Sequence, residues 1–253
     1  MSCPPPTPTT QIPDALAQAR INLFTSGKYT IINNWLQTIR PGVNQPQSMG
    51  YTPAQFLFLY NLLAQVVGIA GVKVYFADYA PNPPATDPYL PTGMDYFVTI
   101  IFAATDSNMV DTGDYYRIDN SPNPPSPSVK KFADPAVALG WIDYYQENIL
   151  PLLQAGGQKS DPSFLETKTI FYSMDDLAGW ISILNCSGQP GNPTITGVQW
   201  SFATYLPDEQ YADQLGQVIS LLEISNALLK SGGGGGGGNY DTGSPCPPDD
   251  ICN

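Results

Sequence analysis

Asp111-Thr112-Gly113 and Asp241-Thr242-Gly243 set two aspartates in matching triplets. Two carboxyl groups held side by side share one proton, because neighbouring like charges cannot both ionise. Such a pair activates water for hydrolysis without help from a histidine. That matters in this chain, which contains no histidine; Ser-His-Asp and Cys-His mechanisms and every His-containing metal site are excluded. The surroundings of the triplets argue against an aspartic-type hydrolase. A catalytic aspartate needs a rigid support, yet Asp114 closely follows the first triplet, and the second stands between a glycine run and prolines. Asp-Thr-Gly is also a good turn sequence. The expected reading is therefore two turns, with no catalytic residue and no cofactor assigned.

Other residues carry weaker signals. Tyr75 and Tyr79, with Trp200 and Tyr205 in the second half of the chain, are the candidate lining of a small-ligand site; Tyr51, Tyr60, Tyr89, Tyr96, Tyr115 and Tyr116 extend the set. Half-buried strand tyrosines give the same pattern. Asp106, Asp111, Asp114 and Asp119 are oxygen ligands of the kind calcium accepts, but their spacing does not match an EF-hand loop, and solvated turn acids are the expectation, with no metal. Cys3, Cys186, Cys246 and Cys252 are too few for a disulfide scaffold in 253 residues. Unpaired thiols are expected, with a Cys246–Cys252 bridge as the oxidised alternative.

The net charge is −12 with only ten basic residues. Nucleic-acid binding and attachment to an anionic membrane both need a cationic face that the chain lacks. Cationic ligands, or solubility alone, suit this charge. No stretch reaches the ~20 apolar residues that span a bilayer, and the first residues show neither a basic start nor an apolar run. The expected location is the cytoplasm, or outside it by export without a cleaved signal peptide.

These residues must be positioned by a fold, and the chain repeats itself. Residues 71–81, GVKVYFADYAP, recur as 197–207, GVQWSFATYLP, at a constant offset of 126 (197 against 71). The recurrence preserves facing: Val72, Val74 and Phe76 share one side of a strand, as do Val198, Trp200 and Phe202. A helical stretch from Asp14 to about Arg40, with Ser26-Gly27 as a break, precedes a helix begun by Thr52-Pro53. Asp134 caps a helix to about Gln154, and Ser173 with Asp176 opens the next. Tyr96 to Ala103 is β-branched and apolar on both faces, the strongest strand signal. Residues 215–224 fit a helix or a strand, and the repeat favours a strand.

The expected fold is α+β: an internal duplication of a helix-helix-strand-strand unit, with an antiparallel sheet covered by helices. Four core strands in a single sheet, or two separate lobes, are the alternatives. The boundaries are a Pro-rich arm at 1–12, a first unit at 13–119, a Pro-rich linker at 120–131, a second unit at 132–231 and a Gly-run and Cys/Pro tail at 232–253.

Gly71-Val72-Lys73-Val74-Tyr75-Phe76, Gly197-Val198, and the ending Asp241-Thr242-Gly243-Ser244-Pro245-Cys246-Pro247-Pro248 with Cys252 resemble the pattern of a group of uncharacterised proteins from Bacteroidota-type bacteria. The resemblance implies a duplicated α+β unit and no particular activity. The expected function is that of a non-enzymatic structural or protein-interaction protein that binds a protein partner or itself. A small-ligand-binding module at the interface between the repeats is the alternative.

Overall fold

The two halves of the chain run through the same order of elements. The computed structural model describes residues 11–79, 95–118, 129–159, 164–189 and 194–206, together with the backbone of 218–226, 238–240 and 244–246. The first half forms β1 (Gln11–Ile12), α1 (Asp14–Ser26), α2 (Lys28–Ile39), β2 (Ser48–Tyr51), α3 (Pro53–Leu63), β3 (Gly71–Asp78), β4 (Val98–Thr105) and β5 (Asp111–Ile118). The second forms β6 (Val129–Lys131), α4 (Pro135–Asn148), α5 (Leu150–Gln158), β7 (Thr169–Ser173), α6 (Met174–Asn185), β8 (Ile195–Thr204), β9 (Val218–Asn226) and β10 (Gly238–Tyr240), and then adds β11 (Ser244–Cys246). The fold is α+β, with antiparallel sheets packed against helices.

The strands form two sheets, in the orders β1-β10-β9-β8-β2 and β11-β7-β3-β4-β5-β6. This corrects the expectation of four core strands in one sheet: β3 and β4 lie in the second sheet, β8 and β9 in the first. Each sheet is built around three consecutive strands of one half, and the other half supplies the flanking strands. β2 pairs with β8 and β7 with β3, Met49 standing opposite Trp200 and Tyr172 opposite Val72. β1 pairs with β10 and β6 with β5. The exchange is reciprocal, so neither sheet is completed by one half alone.

Local chemistry explains the helix starts. The Thr52 hydroxyl accepts from the Gln55 N–H at 3.2 Å while the Gln55 side chain accepts from the Thr52 N–H at 2.7 Å. Ser173 and Asp176 repeat this reciprocal cap at 3.1 and 3.0 Å. Each cap satisfies backbone donors that the first turn leaves without partners. Gly27 separates α1 from α2. The single helix expected after Asp134 is broken at Ile149, because Pro151 lacks an N–H and its ring opposes a continuous helix.

The first Asp-Thr-Gly triplet is not a turn. It opens β5, and Asp106 makes the turn instead, its carboxylate accepting from the Asn108 and Val110 N–H groups at 2.9 Å each. Pairing runs from Thr105↔Asp111 to Ala103↔Tyr115, so three residues of β5 face one of β4. Gly113 accommodates this bulge with φ +89°. Residues 218–226 are a strand, as the repeat suggested. Asp241 and the proposed Cys246–Cys252 bridge lie outside the described residues and side chains. Cys186, however, is disulfide-bonded, which corrects the expectation that all the thiols are unpaired.

Two apolar cores result. The larger joins both sheets through Phe102 and Trp200, with ring centroids 5.4 Å apart, and through Phe76 and Phe202 at 5.8 Å. The smaller lies on the other face of the second sheet, where Ala77, Ile101 and Ala103 meet Leu36 of α2 and Trp141 and Ile142 of α4. β3 is therefore covered on both faces. Among the described residues, no helix is long and apolar enough to cross a membrane.

Candidate functional site

β3 carries polar residues at both ends of its apolar run, and each end makes a different site. On the face of the smaller core, Lys73 and Tyr75 project with Ala77. The neighbouring strand places small Ala103 opposite Lys73, and Tyr115 of β5 stands beyond it. This leaves room for long side chains to meet across three strands. The Tyr75 and Tyr115 hydroxyls both donate to Asp111 Oδ2, at 2.8 and 3.0 Å. Lys73 Nζ lies 3.7 Å from Asp111 Oδ1. Burial, reinforced by the Asp111 charge, holds both phenols well above their ordinary pKa. They stay protonated as donors, so the carboxylate is locked as an acceptor between strands. Such an arrangement ties β5 to β3; it does not resemble two carboxyls sharing a proton.

Replacing Asp111 by alanine strands the Tyr75 and Tyr115 hydroxyls at a half-buried site. Urea unfolding is expected to show a loss of about 1–3 kcal/mol; an unchanged midpoint would show that water serves these groups equally well.

At the other end of β3, the alternation that turns Val72, Val74 and Phe76 into the large core carries Asp78 to the same side. Asp78 is completely buried. Neither of its carboxyl oxygens has a hydrogen-bond partner among the described residues. Burial pushes its pKa from 3.8 up to about 8. Its neighbours are tyrosines of α4. Tyr145, whose ring lies 5.8 Å from Phe76, is raised by burial, then by Glu166 and Asp78. Tyr144 is raised by burial, then by Asp78 and Tyr96.

Tyr144 belongs to a group of three rings. Its centroid lies 6.4 Å from that of Trp35 on α2 and 6.3 Å from that of Tyr96, and Trp35 and Tyr96 are 6.3 Å apart. The planes meet at 54–70°, close to the walls of a three-sided box. All three rings are half-buried. Tyr96 is held there in a left-handed backbone conformation, φ +65°, which is costly for an aromatic residue and requires support from its surroundings. Its N–H donates to the Tyr79 carbonyl at 2.7 Å. Trp35, Tyr96 and Asp78 come from the first half and Tyr144 from the second, so the site sits on the seam between them.

No family model, curated protein or solved structure matches this chain. Its chemistry has to be read from the site.

The four residues singled out from the sequence are distributed over the two cores. Trp200 is fully buried, with Tyr172 at 5.7 Å and Phe56 and Trp180 at 6.2 Å. Tyr205 is buried beneath the Arg20 guanidinium, 4.6 Å from its ring centroid. Tyr79 packs edge-on to Trp141 at 4.8 Å and accepts from the Thr99 hydroxyl at 3.3 Å. Only Tyr75 joins a polar cluster. The acidic residues considered for calcium are also divided: Asp106 closes its turn, Asp111 holds the tyrosines, Asp114 pairs with Lys131 at 2.5 Å, and Asp119 lies outside the described residues. Among the described residues, no group of three or more His, Cys, Asp or Glu could hold a metal ion.

Sequence reasoning passes over Asp78, which reads as the polar end of a strand. The signal that could have found it is its parity with Val72, Val74 and Phe76, which places a carboxyl on a buried face.

Proposed function

We propose that the protein is a non-catalytic binding protein and that it takes a small ligand at the seam between its halves, over Asp78 and among Trp35, Tyr96 and Tyr144. The observation that carries this reading is the cluster of three half-buried aromatic rings drawn from both halves, with the buried, unpartnered Asp78 carboxyl near enough for its charge to act on Tyr144. Buried polar groups are almost always hydrogen-bonded, and leaving one unsatisfied costs about 1–3 kcal/mol. A binding site needs apolar walls and a fixed polar anchor, and half-buried rings with a retained buried carboxyl group in the same part of the fold supply groups of both kinds. The locked state of Asp111 supports a role without catalysis.

The test is a fragment screen followed by NMR, comparing the native chain with Tyr144→Leu. Hits that shift the Trp35 indole resonance in the native chain and lose that effect in the variant support the reading. Hits that bind equally well to both, away from Trp35, overturn it.

Self-association through sheet edges has less support. The outermost strands of both sheets are two to four residues long, and short edge strands discourage pairing between molecules. Sedimentation at high concentration checks this, with a monomer expected. The disulfide at Cys186 supports residence in an oxidising compartment rather than the reducing cytoplasm.

A further inference from the structure

We propose that Lys73 and Asp111 join in an amide bond that the fold itself makes, an intramolecular isopeptide link from β3 to β5 across β4. It goes beyond the seam ligand and does not depend on it. Three observations carry it. Lys73 Nζ lies 3.7 Å from Asp111 Oδ1, and the two side chains are only 9% and 18% exposed. Oδ1 is buried and accepts no hydrogen bond among the described residues, so nothing is bonded to the oxygen that would have to leave. Oδ2 accepts from the Tyr75 hydroxyl at 2.8 Å and from the Tyr115 hydroxyl at 3.0 Å. Donors at that range are what an acyl-transfer centre places on the oxygen that gains charge in a tetrahedral intermediate.

The strand register explains why these groups meet. Lys73 stands opposite Ala103 and Ala103 opposite Tyr115, while Asp111 stands opposite Thr105. Positions 103 and 105 share one face of β4, so the reacting groups lie on one side of the sheet. In a regular strand Asp111 and Tyr115 would be about 13 Å apart. From Asp111 to Tyr115, however, β5 advances four residues while β4 advances two, and this bulge draws the phenol back to the carboxyl group. Small Ala103 leaves room for the long side chains to cross β4. Burial, reinforced by Asp111, keeps both phenols protonated as donors.

The reaction balances without a co-reactant. A proton passes from the Lys73 ammonium to Oδ1, leaving a neutral amine and a carboxylic acid. The amine lone pair attacks Cγ and forms the Nζ–Cγ bond, while Oδ2 takes the charge beneath the two phenols. Nζ gives a second proton to Oδ1, the Cγ–Oδ1 bond breaks, and Oδ1 leaves as water. No group is oxidised or reduced. Amines and acids do not condense in dilute water, but a well-oriented pair within one molecule has an effective molarity on the order of 10⁵–10⁸ M. The event happens once per chain and involves no turnover. It braces the β3-β4-β5 meander, and its loss would add to the cost given above for Asp111→Ala, which counts hydrogen bonds alone.

The experiment is the intact mass of the full chain, reduced and denatured after folding. It is expected to be one water lighter than its sequence. Trypsin cuts an unlinked chain after Lys73 into peptides 29–73 and 74–117, because Pro41 protects Arg40. A linked chain should give one peptide, 29–117, short of one water, with fragmentation placing the link between Lys73 and Asp111. Lys73→Arg keeps the charge but presents no attacking amine, so it should show the full mass of its sequence. The double variant Tyr75→Phe, Tyr115→Phe should form the link at least tenfold more slowly, followed by mass at intervals after cell-free synthesis; an equal rate would overturn the role given to the phenols. A native chain that is folded by near-UV circular dichroism and keeps its full mass on prolonged incubation at neutral pH overturns the proposal, whatever the variants do. So does a missing water that persists in Lys73→Arg or maps to other residues.

Discussion

Cut within residues 119–128, the two halves are each expected to fail as folded monomers and to regain the native fold when mixed. The reason is the reciprocal exchange of strands. The first half alone would keep the β3-β4-β5 meander but lose β7 and β6 from its flanks, while its own β1 and β2 would have no sheet to join. It would also expose Phe102, Phe76 and Phe56, whose partners Trp200, Phe202 and Trp180 belong to the second half, at 5.4, 5.8 and 6.3 Å. The ion pair between Lys28 and the completely buried Glu166 would be broken as well. Domains of this size are stable by roughly 5–15 kcal/mol, and exposing several large buried side chains, at about 1.5–3 kcal/mol each, removes most of that margin.

Mixing restores every contact but replaces an intramolecular step by a bimolecular one. The linker supplies an effective concentration on the order of millimolar, so the melting temperature of the mixed halves should depend on concentration, unlike that of the intact chain. Near-UV circular dichroism of the buried tryptophans and light scattering on the mixture measure this. A half that alone gives a monomer with a cooperative unfolding transition would overturn the expectation. A half that alone forms a dimer would be exchanging its flanking strands with a second copy of itself.

The same exchange explains which parts of the fold were legible in the sequence. Signals that act over a few residues read correctly. Thr52 with Gln55 and Ser173 with Asp176 announce helix starts because a cap is completed within one turn. The alternation of Val72, Val74 and Phe76 announces a strand because its period is two. Signals that depend on the partner half did not. β2 and β7 are four and five residues long and stand just before the capped helices; they are strands because β8 and β3 of the opposite half accept them. The Asp-Thr-Gly triplet reads as a turn by composition, but Asp106 closes the hairpin earlier and Gly113 is used for a bulge. The seam site was legible only in fragments. Tyr96 was among the tyrosines considered, but Trp35, Asp78 and Tyr144 are far apart in the chain, and only the approach of α2 and α4 around the end of β3 brings them together. Sequence similarity between the halves could not have revealed this site, because the counterpart of Asp78 at the 126-residue offset is Thr204, whose hydroxyl is also buried.

Asp78→Asn is expected to make the protein more stable near neutral pH, although it weakens the site proposed here. The sign follows from burial. The carboxyl has a pKa of about 8 in the folded protein and an ordinary value of 3.8 when exposed. Between those values the folded state holds a proton that the unfolded chain has released. Stability therefore falls as pH rises through this window, by about 1.4 kcal/mol per unit from this one group. The full contribution is present below about pH 4; by pH 7 it has fallen by about 4 kcal/mol, and ionisation within the fold completes the loss near pH 8. Asparagine has nearly the same shape and no such titration. Its buried amide carries one donor more than the neutral carboxyl it replaces, and leaving that donor unpartnered costs about 1–3 kcal/mol, so the variant should gain a net of about 2 kcal/mol at pH 7 and lose stability relative to the native chain below about pH 5. Tyr144 and Tyr145, whose pKa values burial raises, stay protonated across this range and leave the difference to Asp78. Denaturant unfolding of both chains from pH 4 to 8 measures it, and the decisive quantity is the difference between them, in which the other carboxylates cancel. Parallel curves would show that Asp78 is ionised and satisfied in the folded protein. Curves that cross near pH 5 would establish a neutral acid held in the core at a stability cost.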